Sequence, residues 1–332
     1  MADVGHIARL RSSMAVVTLT QRFLAPPEEA PYSVRTVSIP PARLEVPQTL
    51  IDRFKLPAPR VEQLQCQAAE ARQPGTWLQP REWSGAAVLL VCGAGDNRHA
   101  FKWLLFRRLL ERRIAVLTVD PPGHGEFMTV PCTVDNVRRA ACAALDWLCG
   151  QRGVRRVGAI GISFGGNQVA DLAARDERVA VLVTISTPVK LPPVTRLTVA
   201  RESLGLVCLP RNLALLRHQS LPKMWAEWRS MNGAWFGESL YDMIARFDTL
   251  NAVRAIGPRP KMFIHGKCDV AVPPINAKLM YEAAEPEREL ILVPQATHLS
   301  VILFDREMKM MSDWLAARLV TSPGYEPNGI GT

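Results

Sequence analysis

The feature that most restricts the fold is the stretch 157–166, where an apolar run ends in Gly161-Ile162-Ser163-Phe164-Gly165-Gly166. Residues 154–162 are typical of a strand whose second half is buried on both faces, and residues 167–174 have helical apolar spacing. The serine therefore lies at a sharp turn from strand to helix. Such a turn requires small flanking residues and leaves the Ser163 hydroxyl exposed, where a neighbouring base can activate it.

This G-x-S-x-G pattern, in its strand-to-helix context, resembles the nucleophile turn of the α/β-hydrolase superfamily. The rest of the chain alternates between strands and helices in the same way. Strands are predicted at 86–92, 114–120, 179–185, 261–266 and 289–294, and helices at 101–112, 133–150, 275–284 and 306–319. This alternation predicts an α/β fold with a mostly parallel central sheet and helices on both faces.

The N-terminal region does not follow the alternation. Residues 1–60 are rich in proline and contain only two strand-like pieces, at 15–20 and 33–39, which predicts an arm laid over the main domain. The α/β domain is predicted to span 61–320. It is expected to begin with an antiparallel hairpin, whose first strand is 61–66 and whose second strand is 76–79.

A second irregular stretch, at about 187–258, has several helix-like segments and no obvious strand. We interpret it as a helical cap inserted into the domain. The last residues, 321–332, are predicted to be a flexible tail, because they contain two prolines, three glycines and little apolar sequence.

Composition excludes several classes of protein. With 332 residues and 48% hydrophobic content, the chain can bury a large core and is not a disordered protein. No apolar run approaches the roughly 20 residues of a membrane helix. The net charge of +9 comes largely from arginines on predicted helix faces. They lack interleaved aromatic residues, so we expect no nucleic-acid partner. A weaker interpretation is that this charge attracts anionic substrates.

Seven cysteines occur without C-x-x-C spacing or a matching histidine pattern. This pattern indicates reduced thiols, no metal site and a cytoplasmic protein. The first 25 residues contain Arg9, Arg11 and Arg22 but one acid, Asp3, so an organellar transit peptide is the alternative. The apolar segment 14–17 is too short for a secretory signal.

The resemblance implies a base and an orienting acid, which follow the serine in that family in the order serine, acid, histidine. Asp269 comes just past one predicted strand, and His298 just past the last. Taken singly, Asp269 could shape a turn and His298 could be a buried structural histidine. Together with Ser163, they fall at the sheet edge where open α/β folds bind ligands. Asp248 is a rival acid, but it lies in the insertion.

Two further segments resemble the family. Residues 90–96 occupy the place of its glycine-rich oxyanion loop, which implies the backbone N–H groups of Ala94 and Phe164 as oxyanion donors. Cys92 is a departure, because the family often has histidine there. Asp120-Pro-Pro-Gly-His124-Gly resembles a structural turn of the family, which argues against His124 as the base.

The implied reaction is acyl transfer, in which His298 removes the proton of Ser163 and Asp269 holds the imidazole. We expect a small, partly apolar ester or thioester substrate and no cofactor. Two alternatives stay open at this point. An acyltransferase would use the same residues with an alcohol or amine in place of water, and a non-catalytic binding protein would keep only the fold.

The insertion contains an apolar stripe, formed by Leu221, Met224, Trp225, Trp228 and Met231 on a helix predicted to begin at Ser220 and end at 232–233. One interpretation is that the stripe packs the cap onto its domain. The other is that Met224, Trp225 and Trp228, with Trp235 and Phe236, form an apolar wall that binds the acyl or leaving group.

Overall fold

The computed structural model describes residues 32–40, 42–55, 57–216, 221–231 and 233–320. The strand predicted at 15–20, the tail predicted at 321–332, and the positions 220 and 232 proposed as ends of the cap helix lie outside these residues.

Eight strands of the described chain form one sheet: β1 Tyr32–Ile39, β2 Gln73–Pro80, β3 Ala86–Val91, β4 Ile114–Val119, β5 Arg156–Ile162, β6 Val179–Ile185, β7 Lys261–Gly266 and β8 Arg288–Val293. Their order is β1-β2-β4-β3-β5-β6-β7-β8. β2 is antiparallel to β1 and β4, and the remaining pairs are parallel. The prediction of a mostly parallel sheet is confirmed.

The helices of the described residues are α1 Gln48–Phe54, α2 Ala58–Glu70, α3 Trp103–Leu110, α4 Val134–Cys149, α5 Phe164–Arg175, α6 Arg196–Cys208, α7 Pro210–Leu216, α8 Leu221–Ser230, α9 Leu240–Phe247, α10 Thr249–Ala255, α11 Ile275–Ala283 and α12 Asp305–Leu319. One core lies between the sheet and α3 and α12. The other lies between the opposite face and α4, α5, α10 and α11. β3 and β4 are buried along their whole length, as central parallel strands require.

The strand predicted at 61–66 is wrong, because these residues belong to helix α2. Val61 and Leu64 are three residues apart, and with Ala68 they form one helical face that packs on a small core cluster around Leu44. Pro59 stands in the first turn of the helix, where its missing N–H costs nothing. Val61 and Leu64 are therefore spaced as on a helix, and not at every second residue as the predicted strand would require.

The strand predicted at 33–39 is confirmed as β1, but it is an edge strand of the sheet and not part of an arm laid over it. β1 pairs with β2 from Tyr32↔Pro80 to Ile39↔Gln73. The sequence predicts residues 61–66 as the partner of β2, and in the structure β1 takes that place. Since the other edge of β2 pairs with β4, β1 supplies the partners for backbone groups of β2 that would otherwise be unpaired.

The insertion is helical in the described residues, and it divides into two parts. Helices α9 and α10 pack over the sheet with α5, and α10 contributes Val253 to the core. Helices α6 and α8 instead contribute side chains to the cavity that reaches Ser163. We use the name cap for helices α6, α7 and α8.

Strand register brings the ends of distant strands together. Val91 of β3 is paired with Gly161 of β5, Ile185 of β6 with Ile264 of β7, and Gly266 of β7 with Val293 of β8. Because these strands are parallel, the residues that come after each of them lie at the same edge of the sheet.

Candidate active site

Ser163 stands at the turn between β5 and α5 with φ 51° and ψ −122°. Its N–H donates to the Ile185 carbonyl at 2.7 Å, and its carbonyl accepts from Gly166 N–H at 2.9 Å. Such a conformation costs a residue other than glycine on the order of 1–3 kcal/mol and persists only where surrounding contacts enforce it. The turn therefore presents the hydroxyl away from the core at the cost of backbone strain.

The glycines of the motif are needed for close packing. A Cβ on Gly161 would overlap the backbone of Gly165, and a Cβ on Gly165 would overlap the carbonyl oxygens of Val91 and Cys92. A Cβ on Gly166 would overlap the buried side chain of Thr187. The need for small residues, inferred from the motif, agrees with this packing of α5 against β3 and β5.

His298 joins Ser163 to Asp269. Its Nε2 lies 3.0 Å from the Ser163 Oγ, and its Nδ1 lies 2.8 Å from the Asp269 Oδ2. An ionised carboxylate only accepts hydrogen bonds, so Nδ1–H donates to Asp269 and Nε2 accepts from the serine hydroxyl. The described chain thus brings Ser163, Asp269 and His298 into one hydrogen-bonded series, formed from the residues that come after β5, β7 and β8.

The charges around this series favour an ionised acid. Burial by itself would raise the pKa of Asp269, but His298 and His265 outweigh it and lower that pKa to about 2. Asp269 Oδ1 also accepts the N–H of Val272 at 2.7 Å. The carboxylate is therefore charged throughout the neutral pH range.

The pKa of His298 is shifted in the opposite direction. Burial alone would lower it, whereas the Asp269 carboxylate and the nearby charge of Glu202 raise it above the ordinary histidine value. A histidine with a raised pKa holds a proton more firmly, which suits a base that must take one from a hydroxyl. The imidazole keeps 18% of its surface exposed, towards the cavity.

Two residues that the sequence did not single out lie beside the series. His265 is buried, its Nε2 donates to the Val272 carbonyl at 2.7 Å, and this nitrogen lies 3.2 Å from the Asp269 Oδ2. Glu202, from cap helix α6, accepts the N–H of His298 at 3.0 Å. His265 is recognisable only by its position four residues before Asp269, and no local pattern distinguishes Glu202.

The rival residues have other environments. Asp248 is exposed at the junction of α9 and α10, where its side chain accepts from Asn251. His124 is buried, and its Nδ1 lies 2.9 Å from the Pro122 carbonyl. Cys92 is buried next to the loop after β3, and burial raises the pKa of its thiol well above the ordinary value. Of the described acids and bases considered as partners of Ser163, only Asp269 and His298 are bonded to each other.

The candidate oxyanion donors lie on either side of Ser163. Phe164 is the first residue of α5, so its N–H has no acceptor within the helix. Gly93 approaches so closely that a Cβ on it would stand 3.1 Å from the Ser163 Cβ. Ala94, the next residue, lines the same cavity as Ser163. The assignment of these two N–H groups stays a prediction.

A cavity of about 610 Å³ opens above Ser163 and His298. Its walls are mostly apolar, and besides the cap they include Phe101, Leu299, Ile302 and Leu303. From the cap come Leu206 and Val207 of α6, and Met224, Trp225 and Trp228 of α8, with Met231 just after it. The described side chains of the stripe, those of Met224, Trp225, Trp228 and Met231, thus line the cavity, and both interpretations of the stripe stay predictions.

Trp235 and Phe236 lie elsewhere. Trp235 packs against the cluster around Leu44, and its backbone pairs with Gly123 and Cys132. The Phe236 ring packs edge-on against His124 and Phe164, with ring centres 5.7 and 6.5 Å away. Neither is among the described residues that line the cavity, so the structure does not bring them to the wall for which they were candidates.

The part of the chain that the structure describes has neither a metal-binding cluster nor a helix that could span a membrane. No group of three or more of its His, Cys, Asp or Glu side chains is arranged to hold a metal ion. None of its helices is both long and apolar enough to cross a membrane.

Comparison with known proteins agrees with the fold. The model of the alpha/beta hydrolase family matches residues 88–309. Esterase FrsA of Vibrio cholerae serotype O1 is 36% identical over 109 residues, which are 31% of this chain and 25% of FrsA. The chain therefore covers about a quarter of the length of that curated relative.

Solved structures of similar fold have low sequence identity to this chain. A hypothetical protein of Pseudomonas aeruginosa superposes with a TM-score of 0.58 at 18% identity, over 88% of this chain and 96% of that one. The monoacylglycerol lipase of Paleococcus ferrophilus superposes with a TM-score of 0.52 at 19% identity, over 71% and 96% of the two chains. At these identities the likeness shows a shared fold.

Proposed function

We propose that this chain, which belongs to the alpha/beta hydrolase family, is a serine hydrolase that cleaves a small carboxylic ester or thioester. The observation that carries the proposal is the hydrogen-bonded series in which His298 contacts both Ser163 and Asp269, at 3.0 and 2.8 Å. A nucleophile, a base and an orienting acid within hydrogen-bond reach are what covalent acyl transfer requires.

In the proposed reaction, His298 Nε2 takes the proton of the Ser163 hydroxyl as the oxygen attacks the carbonyl carbon of the substrate. Asp269 holds the Nδ1–H tautomer and stabilises the imidazolium that forms. The imidazolium then gives its proton to the departing alcohol or thiol, which leaves an acyl-serine. Water, deprotonated by the same imidazole, releases the acid and restores the hydroxyl.

The negative oxygen of the tetrahedral intermediate needs hydrogen-bond donors fixed before the reaction begins. The N–H of Phe164 at the start of α5 and the N–H of Ala94 in the loop after β3 are the proposed donors. Support comes from the absence of an intrahelical acceptor for the first N–H of a helix. The dipole of α5, with its positive end at Ser163, further favours negative charge there.

The cavity favours an apolar acyl or leaving group over an anionic one. Its walls are formed mainly by aliphatic, methionine and tryptophan side chains, and it contains a carboxylate, Asp96. The Nζ of buried Lys102 is bonded to Asp96 at 2.6 Å and to the Ala100 carbonyl. The charge of Lys102 is therefore paired with Asp96 and is not available to an anionic substrate. The names of the relatives, an esterase and a lipase, agree with an ester substrate.

The test combines covalent labelling with a substrate screen. An active-site fluorophosphonate should label the wild type and fail to label Ser163→Ala, because only an activated serine reacts. Ser203→Ala is the matched control, since Ser203 is an exposed serine of the same cavity. Labelling that persists in Ser163→Ala would show that the nucleophile is another residue.

The screen should use acyl esters and thioesters of graded chain length, with product analysis in the presence of alcohols. We expect hydrolysis that depends on Ser163. A predominance of transesterified product would instead identify an acyltransferase with the same residues. A folded wild type that neither reacts with the label nor cleaves any ester would contradict the proposal and leave a binding protein.

A further inference from the structure

Glu202 is unusual for its position in the cap. Helix α6 is mostly exposed, including the large apolar side chains of Leu197, Val199 and Leu204, and Glu202 is its buried residue, with 5% of its surface exposed. A buried carboxylate in a helix whose leucines face solvent is the reverse of ordinary packing. Moving a leucine out of water is favourable, whereas moving a charge out of water costs free energy. A carboxylate buried in this way requires hydrogen-bond donors that compensate for the water it has lost.

The partners of this carboxylate are backbone N–H groups of the two loops that carry the candidate acid and base. Glu202 Oε1 accepts from Val270 at 2.6 Å and from Ala271 at 3.2 Å, which come directly after Asp269. Glu202 Oε2 accepts from the N–H of His298 at 3.0 Å. One side chain of the cap thus joins the loop after β7 to the loop after β8.

The charge of Glu202 also acts on the imidazole. Among the described residues, the charged and titratable groups around His298 are Asp269 with its neighbour His265, from β7 and its loop, Glu202 from the cap, and Asp96 across the cavity. Glu202 and Asp269 both raise the pKa of His298. A carboxylate beside the imidazole stabilises the imidazolium, which is the charged intermediate of the proposed reaction.

We propose that Glu202 is a positioning residue that joins the Asp269 and His298 loops and makes the reactive geometry depend on the docking of cap helix α6. This inference rests on the proposed function. If α6 moved away from the sheet edge, the three N–H donors would lose their acceptor together, and His298 would lose both its backbone anchor and a stabilising charge. The cap would then control the readiness of the base as well as the shape of the cavity.

The test compares Glu202→Gln with Glu202→Asp. Glutamine keeps the length of the side chain but removes the charge and one acceptor oxygen, whereas aspartate keeps the charge and shortens the reach. Arg201→Gln, an exposed neighbour on the same helix, is the matched control and should behave as wild type. The measurements are kcat and KM between pH 5 and 9, melting temperature, and NMR titration of the His298 ring, assigned by its loss in His298→Asn.

For Glu202→Gln we expect kcat to fall by about ten-fold or more above pH 7, with KM little changed, because hydrogen bonds to a charged group are lost. Glu202 raises the pKa of His298, so its neutralisation should lower that pKa. The unprotonated base then persists to lower pH, and the deficit relative to wild type should shrink on acidification. Glu202→Asp should retain most of the wild-type His298 titration while still losing kcat.

A purely structural glutamate would give a different result. A lower melting temperature, with an unchanged His298 titration and a deficit independent of pH, would overturn the proposal. If Glu202→Gln does not fold, Glu202→Asp decides, since an unaltered kcat in that variant also overturns it. The NMR titration needs no turnover. It therefore tests the role of Glu202 even if the wild type cleaves no ester and the proposed function fails.

Discussion

The turn at Ser163 and the cap meet at the same cavity but are built in opposite ways. The first three turns of α5, from Phe164 to Ala173, are buried, and its Gly165 lies against the Val91 carbonyl of β3 and the backbone of Gly161 in β5. In the cap, by contrast, Leu197 and Leu204 are each 60% exposed and Trp225 is 62% exposed. The turn is closely packed, whereas the cap exposes large apolar side chains to solvent.

This difference separates two requirements of the proposed reaction. A strained serine must be held to within a fraction of an ångström, and only a rigid element with tight packing does this. A cavity that binds apolar groups gains from adaptable side chains such as methionine and tryptophan, which need not be tightly packed when empty. We therefore expect substitutions near the turn to affect the chemical step or stability. Apart from the buried Glu202, substitutions of the apolar side chains of the cap are expected to affect selectivity.

The largest effect is expected for Asp269→Asn. The imidazole would lose the acceptor that holds its Nδ1–H tautomer, so kcat should fall by about 10⁴, as in the serine-protease precedent for this change. Stability should change little, since the amide oxygen can still accept from Val272. Esterase kinetics together with thermal melting check this. If Asp269→Asn stayed active while Asp248→Asn did not, the acid would be Asp248.

The next largest effect is expected for Gly165→Ala, which tests how tightly the turn is packed. Its new Cβ would overlap the carbonyl oxygens of Val91 and Cys92, which are main-chain atoms of a central strand and the loop after it. We expect a loss of about 1–3 kcal/mol in the free energy of unfolding, the usual range for overpacking. Urea denaturation measures it.

The matched control for Gly165→Ala is Gly150→Ala, at the end of α4. This glycine has φ −76°, and the nearest atom to an added Cβ is 3.3 Å away. The Asp146 carbonyl oxygen, the nearest atom, would need to move by only a few tenths of an ångström, so we expect a small loss of stability. If Gly165→Ala unfolded at the same urea concentration as wild type, the tight packing inferred for the turn would be wrong.

A smaller effect, confined to selectivity, is expected for Trp228→Ala in α8. Trp228 lines the cavity although 46% of it is exposed. If it contacts the acyl chain, the variant should lose about ten-fold or more in its preference for long over acetyl esters, since each buried methylene contributes roughly 0.8 kcal/mol. The measurement is kcat/KM against chain length. A uniform loss with a lower melting temperature would show that the stripe only packs the cap.

The smallest effect is expected for Leu204→Ser. Leu204 is exposed and is not among the described residues that line the cavity, so neither packing nor substrate contact should be lost. The free energy of unfolding should change by no more than about 0.5 kcal/mol, and chain-length selectivity should stay as in wild type. A clear loss of stability would mean that this face of α6 is covered in solution, contrary to the contrast between the turn and the cap.

Much of the sheet and the candidate site could be predicted from the sequence. The strands β3 to β7 were recognisable because apolar runs are the pattern of strands buried on both faces. The edge strand β8 is only partly buried, but residues 290–293 still form an apolar run. The serine turn was recognisable because a turn with so little space permits only small residues beside the serine. Asp269 and His298 were inferred from their places after predicted strands, since parallel strands bring such residues to the same edge.

Other features were decided only by tertiary contacts. Residues 61–66 form a helix because α2 packs on a cluster that local spacing does not reveal, and β1 joins the sheet because the edge of β2 needed a partner. Trp235 and Phe236 lie away from the cavity because their backbones pair with the segment 123–132, more than a hundred residues earlier.

Glu202 marks the boundary between the two kinds of information. Its partners are N–H groups 68, 69 and 96 residues further along the chain, and every residue except proline carries such a group. A backbone donor has no signature in a sequence, so nothing near Glu202 indicates what it binds. The sequence determined which side chains could carry the chemistry, because that depends on residue type and local pattern. The packing of the cap on the sheet edge decided what holds them in place, because that depends on main-chain groups brought together only by folding.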